Sequence, residues 1–389
     1  MTSLGRLPNE VIILLLKKIL ESTKSCKAVS RDILSFRQTC KGFYASATPF
    51  VFRTRHVMIE KSNLDGLFEI SKHQQLASCI QELHIHTFHI LPLEELDQAT
   101  LSYIPDKERY RKRYEQQQNL ITDTLNRKRL YEAISQFESC RKIVFDGSNP
   151  SWNPSYRRLS CGIPFARSRK SSSARTKFIR RILLDLLTAV ATSKIQIEDL
   201  TVHVGYMDEA YCLKLSHLPY LTKPITSLRR VQLAVDPTFQ KNKLQNFLSA
   251  FPELTDFELE AYRGPCCDRI AGALSGLYIP KLRKLTLITV SCTVSELENF
   301  VIGHKKTLQD IEFIYVELPD EQSWHRVFQT IRDNIAVASF TMSDCANLDM
   351  PEPTNVTELI NITNSTGWDS ISTNSTEWDS ISTNSTEWD

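Results

Sequence analysis

His84 and His86 sit one residue apart and are the first side chains in this sequence whose type and spacing could do chemistry. In a strand, residues i and i+2 share a face, so both imidazoles would point the same way, with His89 and His203 as further rings able to approach. A metal site needs at least three converging ligands. No Cys or carboxylate stands at ligand spacing around this pair, so the histidines read as exposed strand residues and no metal is expected. The 10 cysteines are scattered, without a C-x-x-C pair and with only Cys266 and Cys267 adjacent. That pattern gives neither a zinc knuckle nor a disulfide framework, and it fits a reducing compartment. Cys40, Cys79 and Cys140 fall at apolar pattern positions and read as core. A glycine-rich phosphate loop, a G-x-S-x-G elbow and an H-E-x-x-H motif are all missing, and 11 glycines leave little material for nucleotide cradles. Binding, rather than intrinsic catalysis or a cofactor, is the chemistry expected.

The histidine pair belongs to a repeat that recurs from the middle of the chain to near its end, with earlier copies reaching back to Val57. An apolar-x-x-apolar-x-apolar pattern recurs, most clearly at Leu228, Val231 and Leu233; Leu254, Phe257 and Leu259; Leu282, Leu285 and Leu287; and Leu308, Ile311 and Phe313, with first residues 26, 28 and 26 apart. Further copies stand at Ile80, Cys140, Ile197 and Val337, and Val57 with Ile59 forms a half-copy. The alternating part of each copy predicts a short strand that sends its apolar residues to one side. Helix-period segments lie between them over 243–251, 294–304 and 323–334. A strand plus a helix every 26 to 31 residues predicts a solenoid, since each unit can bury its apolar face only on its neighbours.

In such a stack the residues between the inward-pointing ones line the open face. The first row reads Glu82, Lys142, Asp199, Arg230, Asp256, Lys284 and Asp310, with alternating sign. Parallel strands lie about 4.8 Å apart, so these charges would either pair laterally or meet a ligand. The next positions do not cancel, and they are the candidate substrate-binding residues: His84, His86, Asp146, Thr201, His203, Gln232, Glu258, Glu260, Thr286, Ile288, Glu312 and Ile314. They predict a surface with imidazoles towards the N-terminus and acidic to apolar character towards the C-terminus, suited to a protein with a basic or mixed segment.

At the N-terminus, Leu7-Pro8-Asn9-Glu10 opens onto an apolar run from Val11 to Leu16. Proline suits the first turn of a helix and Glu10 suits its positive end, so a helix starts near Pro8. Its apolar residues run almost all the way round, which calls for cover on two sides. A second module, Phe36-Arg37-Gln38-Thr39-Cys40-Lys41-Gly42-Phe43-Tyr44, closes with Pro49-Phe50-Val51-Phe52-Arg53. Together these residues resemble the F-box family, whose Leu-Pro, Glu, paired-aliphatic pattern falls on Leu7, Pro8, Glu10, Val11, Ile12, Leu15, Leu16 and Ile19, and whose later half looks like Ile33-Leu34, Thr39-Cys40-Lys41 and Phe43-Tyr44. The repeats likewise resemble the leucine-rich repeats of F-box proteins found in fungi, without the usual Asn after the strand. The resemblance implies a three-helix unit that docks on a Skp-type adaptor and through it on a cullin scaffold, while the rest of the chain holds a protein substrate for ubiquitin transfer. It implies adaptor contacts formed or supported by Leu7, Pro8, Val11, Ile12, Leu15, Leu16, Leu34, Cys40 and Phe43. The alternative is an interaction scaffold without a ligase role, its N-terminal helices capping the solenoid. A cap would bury Val11, Ile12, Leu15 and Leu16 against the first repeat, whereas a docking module leaves some of them exposed.

The expected fold is therefore α/β: a small three-helix F-box over 1–53, an irregular leucine-rich-repeat solenoid of parallel strands and helices over 54–350, and a disordered tail over 351–389. Two insertions break the period, at about 90–138 and 147–181. The first contains a polar, basic stretch over 106–129 that reads as a long helix with Tyr110, Tyr114, Ile121 and Leu125 on one side. The second, part of an acid-free stretch over 147–184 rich in Arg, Ser and Pro, reads as an exposed loop, either merely solvated or serving a partner or nuclear import. The tail repeats T-N-S-T-[GE]-W-D-S-I-S every ten residues, too sparse in apolar residues to build a core, and reads as a slippage extension or else a docking or phosphorylation segment. A net charge of +2 argues against phosphate neutralisation as the main task, so nucleic acid is not an expected partner. The short N-terminal apolar run lacks a cleavage site and no stretch is long enough to span a membrane, so the expected location is cytoplasmic, nuclear or both.

Overall fold

The computed structural model describes residues 8–22, 33, 35, 37–38, 41–87, 90, 92–96, 98–102, 104, 106–122, 124–146, 173–204, 213, 215–235, 242–261, 274, 276–343 and 345. Helices α1 (Asn9–Ser22) and α2 (Lys41–Phe52), with the described residues Ile33, Ser35 and Arg37 between them also helical, lead into strand β1 (Thr54–Met58). There follow α3 (Lys61–Lys72), α4 (Gln74–Ala77), β2 (Glu82–His86), α5 (Gln98–Ser102), α6 (Lys107–Thr122), α7 (Thr124–Ser135) and β3 (Lys142–Asp146). The second half runs α8 (Ser173–Thr192), β4 (Asp199–His203), β5 (Arg230–Val235), α9 (Lys243–Leu248), β6 (Asp256–Ala261), β7 (Lys284–Ile288), α10 (Val294–Gly303), β8 (Asp310–Ile314), α11 (Glu321–Asn334) and β9 (Ser339–Ser343).

The nine strands form one all-parallel sheet in chain order, each paired with the next. Parallel neighbours need a crossover between them, and helices supply most of those crossovers, so the chain winds in one direction as an α/β stack. The register lines up the repeat: Leu83 pairs with Ile143, then Leu200, Val231, Phe257, Leu285, Ile311 and Phe340 follow in one row. Ile85, Phe145, Val202, Leu233, Leu259, Leu287, Phe313 and Met342 form the parallel row. With helix residues such as Leu67, Ile134, Leu186, Phe247, Leu297 and Trp324 they make one continuous core. At the entry to the strands the carbonyl of the preceding residue accepts two amides from the next turn, as when Arg53 O receives the N–H groups of Gln81 and Glu82 at 2.8 and 3.0 Å. The same pattern repeats at Gln81, Arg141, Glu198, Arg229, Thr255, Arg283 and Gln309, and it fixes the register independently of the side chains.

The two insertions differ from expectation. The basic stretch forms two helices, α6 and α7, rather than one. Tyr110 and half-buried Tyr114 face a small satellite core with Ile90, Leu93, Leu96 and Ile104. Buried Gln117 anchors it, its Oε1 accepting from the Ile90 amide at 2.8 Å and its Nε2 donating to Ile59 O at 3.3 Å. In the second insertion the loop reading fails from Ser173 onwards, where α8 begins. Phe178, Ile179, Ile182, Leu183, Leu186 and Leu187 are buried at helical spacing, and Arg181 pairs along the helix with Asp185 at 3.1 Å. The arginines occupy the wet side of an amphipathic helix, so their density hid its apolar stripe. Residues 147–172 and the tail lie outside the described residues. Among the described residues no helix is long and apolar enough to cross a membrane.

Helix ends are closed by side chains where the sequence supplies them. Thr293 and Glu296 form a capping box at α10, with Glu296 N donating to Thr293 Oγ1 at 3.3 Å and Thr293 N donating to Glu296 Oε2 at 3.0 Å. Thr293→Ala is expected to lower stability by about 1 kcal/mol, read as an unchanged slope and a lower midpoint in urea unfolding.

Candidate functional site

The N-terminal helices sort their apolar residues into two sets. Pro8 opens α1, its carbonyl accepting from the Val11 and Ile12 amides at 3.1 and 3.2 Å. Ile12 and Leu16, four apart and so on one side, are 2% and 0% exposed and pack with Ile33, Phe43 and Ala47. Val11, Leu14 and Leu15 lie round the other side and are 39%, 61% and 41% exposed, with Ile13 beside them. Tyr44 on α2 is also exposed, and the Arg37 guanidinium lies 4.1 Å from its ring centroid. Pro8 is exposed and Phe43 is buried within the pair. Leu7, Leu34 and Cys40 lie outside the described residues. On its other flank α2 abuts β1 and α4, so α2 covers the first strand while the apolar stripe of α1 remains exposed.

The twelve open-face residues fall on two rows opposite the core. His56, His84, Val144, Thr201, Gln232, Glu258, Thr286, Glu312 and Thr341 are register partners in the first. Met58, His86, Asp146, His203, Ala234, Glu260, Ile288, Ile314 and Ser343 form the second. The expectation that their charges do not cancel needs correction. Glu258 accepts from Gln232 Nε2 at 2.6 Å and pairs with Arg230 at 3.5 Å, while Gln232 in turn accepts from the Thr201 hydroxyl at 2.7 Å. Glu312 accepts from Thr286 at 3.1 Å and pairs with Lys284 at 3.2 Å. Among the described residues, Lys142 and Asp199, 3.7 Å apart, make the sideways pair that alternation suggested. Arg230 and Lys284 instead reach diagonally, because their long side chains span one strand and one pleat. The middle of this face is thus a hydrogen-bonded ladder in which Thr201 and Thr286 are buried.

No protein-family model matches this chain, and no curated protein matches it.

Towards the N-terminal edge three imidazoles converge. His56 Nδ1 lies 3.0 Å from His86 Nε2, and the ring centroids of His56 and His84 are 4.6 Å apart. His86 also lies 3.8 Å from the Asp146 carboxylate, and His84 lies 3.4 Å from Glu82. Sequence reasoning named His84 and His86 but looked to His89 and His203 for a third ring. His56 was missed because only the lateral register brings β1 beside β2. His89 lies outside the described residues, and His203 flanks Asp146 on the far side. Across the small Ala234, His203 faces Glu260, whose carboxyl is raised by burial and by Glu258 although His203 opposes the shift. Among the described residues no group of three or more His, Cys, Asp or Glu is arranged to hold a metal. Burial pushes the Cys140 and Cys292 thiols up to about 12, which removes them as nucleophiles near neutral pH. Cys79, expected as core, is half-buried with its thiol on Gln75 O.

Burial, then the neighbouring His84, His86 and Arg55 charges, hold His56 down to about 4, with Asp146 opposing. His86 is likewise lowered, chiefly by burial. Only one of the two facing nitrogens can carry a proton without placing two donors head to head. Between pH 6.5 and 4 these two imidazoles therefore bind more protons in the unfolded chain than in the folded one, and their contribution to stability falls as pH drops through that window. For His56 the loss approaches about 3 kcal/mol for a fully shielded ring, and solvent access reduces it to about 1 to 2 kcal/mol. Wild type is expected to show a lower urea midpoint at pH 5 than at pH 7.5, and His56→Gln a smaller difference. Equal slopes with pH in the two proteins would contradict this account.

Proposed function

We propose that this chain is the substrate-recognition subunit of a Skp/cullin/F-box ubiquitin ligase. Its N-terminal helices are read as an F-box that docks on a Skp-type adaptor, and its parallel strand-and-helix stack as an irregular leucine-rich-repeat solenoid that holds a protein substrate. The observation that carries this reading is the exposure of Val11, Leu14 and Leu15 on α1 while Ile12 and Leu16 are used inside the helix pair. A helix serving only as a cap would turn Val11 and Leu15 into the first repeat. Instead α2 lies next to the stack and α1 keeps an exposed apolar stripe, the arrangement a protein-docking helix needs.

The role is positioning. A bound substrate's lysines are held near a charged ubiquitin-conjugating enzyme at high effective concentration, and the chain itself performs no bond chemistry. On the stack, the ladder of Thr201, Gln232 and Glu258 is committed internally, so substrate contacts are assigned to groups at its ends: the His84 and His86 cluster with Asp146, and Glu260, Ile288 and Ile314. Co-expression with a Skp-type adaptor tests the reading. Co-purification at a one-to-one ratio, with a cullin recruited on addition, supports it. A chain that purifies alone and ignores the adaptor leaves the scaffold role.

A further inference from the structure

The residue that precedes each strand alternates along the sheet: Arg53, Gln81, Arg141, Glu198, Arg229, Thr255, Arg283 and Gln309 enter β1 to β8. An arginine therefore stands at every second strand, about 10 Å from the next at the usual parallel spacing. At the entry edge of β5 to β8 these arginines border a cavity of about 490 Å³ lined by Arg229, Glu253, Thr255, Lys281, Arg283 and Thr307. Glu253 is the one acid in that lining. It is engaged by Arg229 at 2.9 Å and Lys281 at 2.5 Å, contacts that hold its carboxyl below the usual range. Arg283 is exposed and has no ion pair or side-chain hydrogen bond among the described residues. Lys305 and Lys306, both exposed, adjoin the lining Thr307 in sequence. Among the described residues the lining thus carries three cations against the single carboxylate of Glu253, an excess of positive charge.

The chain carries its own counterpart. Residues 346–389 contain eight acidic residues and no Lys, Arg or His. With those eight set aside, the 47 Lys and Arg of the chain face 37 acids, so the positive excess resides in the body and the negative excess in the tail. The ten-residue repeat places acids two apart around a tryptophan, as at Glu377 and Asp379, which in an extended chain share one side at about 7 Å. The stretch from Cys345 to Asp369 can span at most about 80 Å, whereas the return from the end of β9 to the basin crosses one strand length and a few inter-strand spacings, about 25 Å.

We propose that the acidic C-terminal tail docks in cis on the arginine basin at the entry edge of β5 to β8, its paired carboxylates meeting Arg283 and Arg229. Being intramolecular, the contact needs little intrinsic affinity, since tethering supplies the effective concentration. It occupies the edge of the sheet and does not depend on whether α1 binds an adaptor.

Zero-length carbodiimide coupling of the full chain, read by mass spectrometry, tests it. Amide links from tail carboxylates such as Glu377 and Asp379 to Lys281 are expected to dominate over links to Lys17 or Lys18. They should fall about tenfold in Arg229→Gln/Arg283→Gln, the factor two exposed charge pairs can support. Raising salt to about 0.5 M should do the same in the unaltered chain. A single Arg283→Gln variant guards against loss of the Glu253 contacts, because Arg283 makes none. Tail links spread evenly over the surface lysines, links indifferent to Arg283, or links found only between two copies would each overturn docking in cis.

Discussion

Leu14→Glu/Leu15→Glu is expected to abolish capture of the chain by a Skp-type adaptor while leaving the chain folded. Both side chains are substantially exposed, so the substitutions remove no packing within the helix pair, and surface changes of this kind usually shift stability by less than about 0.5 kcal/mol. In a complex the two would be buried. Part of each is already shielded from water in the free chain, which reduces the full-burial value to about 2 to 4 kcal/mol for the pair, or roughly 30- to 1,000-fold in Kd. Two carboxylates set against an apolar groove add a desolvation cost in the same direction. The control lies on the opposite side of the same helix. Leu16→Ala empties a fully buried position beside Phe43 and Ala47 and is expected to cost about 2 to 5 kcal/mol of folding, so it would lose capture by unfolding the helix pair. Capture measured with the helical circular dichroism of both variants separates the causes. A double Glu variant that is still captured at wild-type affinity would mean the exposed stripe of α1 is not the docking face.

How far this could be read from residues alone depended on how local the governing physics is. The strand positions were legible because each needs only its own alternation, and the pairing of Val231 with Phe257, and of Phe257 with Leu285, follows once equal spacing is assumed. The start of α8 was not, since Arg180 and Arg181 outweighed the Phe178, Ile182, Leu186 spacing that buries the helix. Along α1 the run from Val11 to Leu16 shows that two sides are apolar, but which one turns inward is decided by Phe43 and Ala47, about 30 residues later. Long-range side-chain geometry was the least accessible. His56 meets His86 across 30 residues, and Arg230 chooses Glu258 over its lateral neighbours Asp199 and Asp256. Such choices depend on rotamers and strand twist, which a one-dimensional pattern does not contain.

Phe313→Ala should loosen the C-terminal end of the stack without loosening its middle. Phe313 is fully buried on β8, its ring 6.1 Å from Trp324 on α11 and edge-on to Phe340 on β9 at 5.7 Å. Phe328 closes the group, stacked on Trp324 and perpendicular to Phe340. Deleting this ring costs about 3 to 5 kcal/mol through lost burial and the cavity left behind. In a stack whose units touch only their neighbours, that cost falls on the units that share the cavity, here β8, β9 and α11. β9 is least able to absorb it, because it has a partner on one side only and its residues after Phe340 are half-buried. The amides of Tyr315, which donates to Ser343 O, and of Ser339, which donates to Gln309 O, are therefore expected to lose hydrogen-exchange protection first. Protection in β2 to β4 should stay at its wild-type level. Uniform loss across all nine strands would instead mean that the sheet opens as one cooperative unit. In that case the continuous core, rather than nearest-neighbour contacts, sets the stability of every turn, and a lesion at β8 would be felt as far away as the histidine cluster at β1 and β2.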